Sequence, residues 1–345
     1  MSAKSMAVQA GLLTLVFVLI WLSLRQGPVG TWTAREVWAG FQGLFGGASS
    51  LHEAVFELRL WKALTAAGVG GALALAGALL QGLIRNPLAS PGLIGTSAGA
   101  SVGASAMILI LGGSASKLLP GALAGSSLAF LVALGAFVGA LAATLVVVLL
   151  AGRRGRMTLS SLLLCGIAMN ATLGGLLALL QALALRDYEL SRALFAWTFG
   201  ILDDRSAGHA ALIWATLVVA ALVLPFLVRE LDLLRFGEED AMAVGVSVER
   251  VKFTALGLAS LLTASAVAVA GQIAFLGLMA PHIMRLLVGG RHRDLLPAAL
   301  LGGAAFLLMA DLIPRYVLED SAIRPGVVMS LLGGPFFLVL LFRRT

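Results

Sequence analysis

The sequence predicts an all-α polytopic membrane protein with about ten transmembrane helices, and three observations carry that reading. Of its 345 residues 60% are hydrophobic and 12% charged, against about 45–50% and about 25% in soluble domains. Mean hydropathy is +1.00. The few charges divide the chain into long charge-free intervals, most of them close to the roughly 20 residues that a bilayer crossing requires. One water-soluble core cannot hide so much apolar surface, and a disordered or nucleic-acid-binding chain would be far more polar. The net charge of +7 is therefore assigned to basic loops beside the membrane, with no nucleic-acid partner. The whole chain, 1–345, reads as a single transmembrane domain.

The elements follow in order. Residues 5–24 form the first span. Lys4 ahead of an apolar stretch also loosely fits a signal peptide, but the stretch is long enough to cross and no small-x-small cleavage site follows, so it reads as retained. Intervals 63–84, 86–116, 118–152, 157–185 and 206–228 supply five more spans. The interval 253–284 would be about 48 Å long as one helix, against a hydrocarbon core of about 30 Å. It contains Gly271, Gln272, Gly277 and Pro281, so it reads as a span to about Ala270, a break from Gly271 to Gly277, and a short span to about Val288. Residues 295–310 and 325–342 bring the count to ten.

An even count puts both termini on one side, and Lys/Arg bias chooses the side. With cytoplasmic termini, fourteen of the 24 basic residues lie inside, mostly in compact clusters such as Arg153-Arg154-Gly155-Arg156. Both termini are therefore expected in the cytoplasm. Within the spans, Gly95, Gly99 and Gly103, Gly121 with Gly125, and Gly135 with Gly139 form small-xxx-small ladders that let helices approach closely in lipid.

Catalytic chemistry is not expected. No Gly-x-x-x-x-Gly-Lys-Ser/Thr loop is present, so ATP hydrolysis by the usual P-loop is excluded. The lone cysteine, Cys165, and four histidines without metal-ligand spacing point to no metal site. An ion-coupled transporter would carry titratable groups along its path. Here only Asp311, near the outer end of span nine, and His282, near the inner end of span eight, qualify, and both read as interfacial. Asn170, Gln181 and Gln81 either line a path or bond between helices. The driving energy is expected from a partner, with an ion-coupled secondary transporter as the rival reading. The largest inner loop, 229–252, contains an acid-capped helical stretch from Glu238 to Val244 with a stop at Gly245. It is either a docking helix or a solvated charged loop.

Four stretches in order resemble motifs of the FecCD/BtuC-type ABC importer permeases, which serve iron-siderophore, haem and vitamin B12 uptake. They are Arg85-Asn86-Pro87-Leu88-Ala89-Ser90-Pro91-Gly92-Leu93-Ile94-Gly95, then Phe236-Gly237-Glu238 to Gly245, then Gly271-Gln272-Ile273-Ala274-Phe275-Leu276-Gly277 through Arg285, and finally Gly326-Val327-Val328 with Gly333-Gly334-Pro335-Phe336-Phe337. The resemblance covers essentially the whole chain. It implies a type II importer fold of ten helices, with spans two to five and seven to ten related by a pseudo-twofold. It also implies two permeases around a central path, as a homodimer or with a paralogue, in a bacterial cytoplasmic membrane. Two cytoplasmic ATPase subunits would hold the ATP and Mg, leaving no cofactor on this subunit, and an extracytoplasmic binding protein would deliver the cargo.

By the same resemblance Asn86, Pro87 and Leu88 form an inner gate, with Thr158, Ser160 and Ser161 as its second element. Gly237, Glu238, Ala241 and Gly245 take the positions of the ATPase-coupling helix. Arg59, Lys62 and Arg315 fall where the family offers cations to glutamates of the binding protein. The family's Arg-Leu-Pro-Arg is Arg59-Leu60-Trp61-Lys62 here, and a lysine cannot make the bidentate carboxylate pair of an arginine. A family proline is displaced to Pro325, and Met329 stands where threonine is usual. The expected cargo is an iron chelate, siderophore or haem, with cobalamin as runner-up.

Overall fold

A computed structural model describes residues 3–27, 30–44, 51–112, 126–153, 158–200, 202–203, 205–317 and 323–342. The expected glycine pair Gly121 and Gly125, like Arg154 and Arg156, lies outside the described residues. In chain order the helices are α1 (Ala3–Arg25), α2 (Ala34–Gly43), α3 (Leu51–Ile84), α4 (Thr96–Gly112), α5 (Ser126–Gly152), α6 (Leu159–Ala184) and α7 (Tyr188–Thr198). There follow α8 (Ala207–Leu234), α9 (Glu238–Ala243), α10 (Val248–Ala270), α11 (Leu276–Val288), α12 (His292–Val317) and α13 (Pro325–Phe342). A two-residue antiparallel pairing, Gln26–Gly27 (β1) with Gly30–Thr31 (β2), closes the turn after α1.

The ten expected spans are recovered one for one as α1, α3, α4, α5, α6, α8, α10, α11, α12 and α13. Seven of these are long and apolar enough to cross a bilayer. The other three, α4, α11 and the apolar part of α13, are shorter, and two of them are preceded by irregular chain. The break expected from Gly271 to Gly277 runs from Gly271 to Phe275, and α11 ends at the expected Val288. Between the spans lie α2, α7 and α9, of which only α9 was foreseen. α2 is fixed by a capping box: Thr33 Oγ1 accepts from the Glu36 N–H (3.4 Å), while a Glu36 carboxylate oxygen accepts from the Thr33 N–H (2.6 Å). Hydrogen bonds to the Glu36 carboxylate from the Thr33 N–H and then from the Thr33 hydroxyl hold this carboxyl below its ordinary range.

Long-range side-chain pairs show how the helix ends sort. Ser5 with Asp294, His292 with Asp232, Gln81 with Arg285 and Lys252 with Glu238 gather one end of the bundle. Lys62 with Asp203, Arg324 with Asp203, and Arg59 with the Gly30 carbonyl gather the other. This is the alternation that ten crossings require when α1 starts at the α9 end.

α3 is the hub. In its most apolar stretch 94% of residues are buried, against 11% in α6, because α1, α8, α10, α11 and α12 all pack on it. The close crossings use glycine as expected. A Cβ on Gly99 or Gly139, or on Gly103 or Gly135, would overlap the facing backbone or side chain across the α4–α5 crossing. Gly70 with Gly303 and Gly77 with Gly277 perform the same service for α3 against α12 and α11. Gly95 is an exception to the expected ladder. It lies outside the helix at φ +83°, where its lack of a Cβ permits the turn into α4.

The halves repeat. α3 and α10 run in opposite directions, each followed by irregular chain and then by a short helix, α4 or α11. The residue before each short helix is left-handed, Gly95 at φ +83° and Phe275 at φ +62°. α4 packs on α5 as α11 packs on α12, and α10 packs on α5 as α3 packs on α12. This is the pseudo-twofold that the resemblance implies, with both interrupted segments inside protein, where non-helical backbone is tolerated.

Candidate functional site

The first interrupted segment starts where α3 ends. Arg85 adopts φ +51°, and the Asn86 side-chain oxygen accepts the Leu88 N–H at 3.0 Å across Pro87, an Asx turn that a proline-containing segment favours. The Asn86 carbonyl accepts the Ala89 N–H at 3.0 Å, and a turn of 3-10 helix from Pro91 to Ile94 follows. On α6, Asn170 donates its amide to the Gly92 carbonyl at 2.8 Å and so holds this segment from the side. That decides between the two roles left open for Asn170 in part only. It bonds between elements, and it also lines a cavity of about 310 Å³ where the two interrupted segments meet, beside Ser90, Thr263, Gln272 and Phe275.

Thr158 caps α6. Its Oγ1 accepts the Ser161 N–H at 3.2 Å and donates to Ser161 Oγ at 2.8 Å, while Ser160 is exposed. Thr158 shares a small pocket with Leu83 and Ile84 at the end of α3 and with Glu238 and Lys252. The structure therefore brings the start of α6, the end of α3 and the first residue of α9 to one place.

α9 is short and fixed at both ends. Gly237 enters at φ +143°, a conformation reserved for glycine. Three carboxylates, Glu238, Glu239 and Asp240, occupy the first turn, where the helix dipole favours them. At the far end the Gly245 N–H bonds the Met242 carbonyl and the Val246 N–H bonds the Ala241 carbonyl, both at 3.0 Å. With Gly245 at φ +90° this is a Schellman stop, and its apolar partners Ala241 and Val246 are both buried in the main core. Lys252 of α10 bonds Glu238 at 2.8 Å and lies 3.8 Å from Glu249, so the helix is tied to the next span. Around this anchored helix Phe236, Met242 and Val244 are exposed apolar side chains. Sequence reading missed both Lys252 and this apolar rim, because neither has a motif. The rim shows only once the buried face of α9 is known.

At the opposite end the three expected docking cations are turned inward. Arg59 is 5% exposed and donates to the carbonyls of Leu24, Arg25 and Gly30 at 2.9, 3.0 and 2.9 Å, with its guanidinium 4.1 Å from the centre of the Trp32 ring. Arg315 is 6% exposed, pairs with Asp311 one turn back, and donates to the Gln26 carbonyl at 3.2 Å. Lys62 pairs with Asp203 and lies 3.4 Å from Asp311. Arg324 completes the cluster by bonding the other Asp203 oxygen at 2.9 Å. Asp311 is thus a counter-ion at the end of α12. Burial pushes the Asp203 carboxyl up, but the Lys62 ammonium, joined by Arg324 and Arg315, outweighs it and holds the carboxyl below the usual carboxylate range.

A family model described as the FecCD transport family matches residues 14–343. The chain is 40% identical over 295 residues to the hemin transport system permease protein HmuU of Yersinia pestis, covering 84% of this chain and 83% of that one. It is 38% identical over 297 residues to the cobalamin import system permease protein BtuC of Halobacterium salinarum, covering 86% and 75%. It is 34% identical over 344 residues to the iron(3+)-hydroxamate import system permease protein FhuG of Bacillus subtilis, covering 99% and 98%. Among solved structures, an inward-facing conformation of a metal-chelate type ABC transporter superposes with a TM-score of 0.79 at 27% identity, covering 98% of this chain and 99% of that one.

Proposed function

Because the chain belongs to the FecCD transport family of ABC importer permeases, we propose that it carries an iron chelate of the siderophore or haem class through the cytoplasmic membrane. The family consists of transport subunits and not of enzymes, and the chain is a multi-pass membrane protein. The observation that carries the cargo reading is similarity, over 84% and 99% of this chain, to permeases named for hemin and for iron hydroxamate. The second reading, a cobalamin cargo, is favoured by the 38% identity to a cobalamin permease.

In this reading the α9 end faces the cytoplasm, with both termini, and α9 seats in an ATPase subunit that holds ATP and Mg. Its anchoring supports that role. A helix capped at both ends and tied through Lys252 to α10 moves as one body with the bundle, and Phe236, Met242 and Val244 supply an apolar contact. The pocket shared by Thr158, Ile84 and Glu238 gives a short route from that contact to the gate at Asn86, Pro87 and Leu88, with Ser160 and Ser161 beside it. Transport is then a rigid-body switch between two openings, formed with a second permease copy. A binding protein lands on the opposite end, where Arg59, Lys62 and Arg315 brace the platform from within.

The test is uptake of radiolabelled ferric chelate, haem or cobalamin into proteoliposomes holding the permease, its ATPase and its binding protein. ATP-dependent uptake of the iron compounds is expected. Uptake that proceeds equally without ATP overturns the importer reading, and ATP-dependent uptake of cobalamin alone replaces the cargo.

A further inference from the structure

α5 and α10 leave an apolar groove between them, about 530 Å³ in volume, walled by Phe137, Leu141, Leu145 and Val148 on one side and by Phe253 and Gly257 on the other. Its hydroxyls are spent locally: Ser260 Oγ donates to the Leu256 carbonyl at 2.7 Å and Thr144 Oγ1 to the Ala140 carbonyl at 3.0 Å. Gly257 lies on the groove with no atom within 4 Å of where its Cβ would be, so the space is open rather than a close crossing.

The internal repeat shows what such a groove lacks. α3 and α12 pack in the way that α10 and α5 do, but α1 lies over that pair and buries Val16 and Leu19 against the core. The span that precedes α10, α8, packs on α3 and α10 instead. Among the described residues the groove between α5 and α10 is therefore left without a helix over it. Its volume is far below what a spanning helix about 10–12 Å across would displace.

The groove lies near the α9 end of both helices, and two arginines stand at that end. Arg250 is one turn before Phe253 on the exposed stripe that continues through Gly257, and Arg153 follows the end of α5 five residues after Val148. Both are exposed, and neither makes an ion pair among the described residues. The acidic residue beside Arg250, Glu249, lies 3.8 Å from the Lys252 ammonium. We propose that this groove binds one acyl chain of an anionic phospholipid, with Arg153 and Arg250 taking its phosphate headgroup. Apolar burial supplies the hold on the chain. Basic residues beside the membrane supply the preference for negative charge. The inference rests on the membrane embedding and the repeat, and is independent of the cargo.

The experiment uses the full-length protein in detergent, with a tryptophan introduced by Leu145→Trp as reporter and phosphatidylglycerol or phosphatidylcholine carrying brominated acyl chains as probes. The added fluorescence should be quenched at lower mole fraction by the phosphatidylglycerol. Arg153→Gln and Arg250→Gln should each erode that preference about fivefold. Gly257→Leu, whose helical backbone accepts a side chain, should abolish the quenching. If that variant does not fold, Ala142→Leu, which narrows the groove from the α5 wall, serves as the block and should abolish the quenching of the Leu145→Trp reporter. Equal quenching by the two lipids in every variant overturns the proposal. So does loss of quenching that tracks self-association, which would make a second copy the occupant.

Discussion

Arg59 joins an expected cation position to contacts that residue type and position do not show. Its place in the sequence gives a cation at the outer end of a span, and the structure gives it three backbone carbonyls and the Trp32 face. A planar fork of donors suits that site, and a lysine does not. Arg59→Met should cost about 2–4 kcal/mol, because buried carbonyls lose a charged donor, and Arg59→Lys less, because one ammonium replaces the two guanidinium nitrogens that serve the three carbonyls, both read as a lowered midpoint of thermal unfolding in detergent. An unchanged midpoint would remove the structural role. Asp203 carries the pH dependence of the same end. Its folded pKa is depressed, so its contribution is complete above the ordinary carboxylate range of about 4 and is lost as pH falls through the lower folded value. Hydrogen exchange around residues 202–206 should therefore accelerate below about pH 4 in the native chain. In Asp203→Asn it should be fast at every pH. The effect is modest, about 1 kcal/mol or less, since the carboxylate is 41% exposed. None of these pairings is a sequence pattern: Lys62 and Asp203 are 141 positions apart, and only the fold joins them.

At the scale of the element, α9 is the piece most legible in advance. Its acidic start and glycine stop are local chemistry, and local hydrogen bonds realise them. Ala241→Pro removes the N–H that bonds the Gly237 carbonyl at 3.1 Å and should break the helix. The protein should still insert, while ATP hydrolysis by the assembled complex proceeds with uptake reduced at least tenfold. Unaltered ATP-driven uptake would remove the coupling role. Gly245→Val probes the stop alone. It places a β-branched residue at φ +90°, a strain of about 1–3 kcal/mol, and should weaken coupling without altering the buried face. Phe275 is the element-scale feature that no sequence rule anticipates. A bulky residue at φ +62° is an outlier. It is kept there by the N–H groups of Leu278 and Met279 on its carbonyl, at 3.0 and 2.8 Å, and by Gly333 of α13, where a Cβ would overlap its ring.

For the whole molecule, the inverted halves meet at α3 and the interrupted segments face each other across one cavity. The crossing of Gly77 with Gly277 holds that arrangement. Gly77→Val should prevent it, because the added atoms meet the Gly277 backbone rather than a movable side chain. A loss of at least about 1–3 kcal/mol is expected, seen as aggregation or a shifted elution profile, and normal assembly would show that the halves can separate. The number and order of the ten spans, the α10–α11 break and the α4–α5 glycine contacts were determined by the sequence itself. Hydrophobic length and the close approach of small residues are properties of a segment, fixed by the bilayer and by backbone sterics before any partner arrives. The tertiary structure alone decided which cations are spent inside the protein, where Asn170 bonds, what ties α9 to α10, and which groove is left uncovered. Those depend on pairs of residues far apart in the chain, and their energies exist only once packing has brought the partners together.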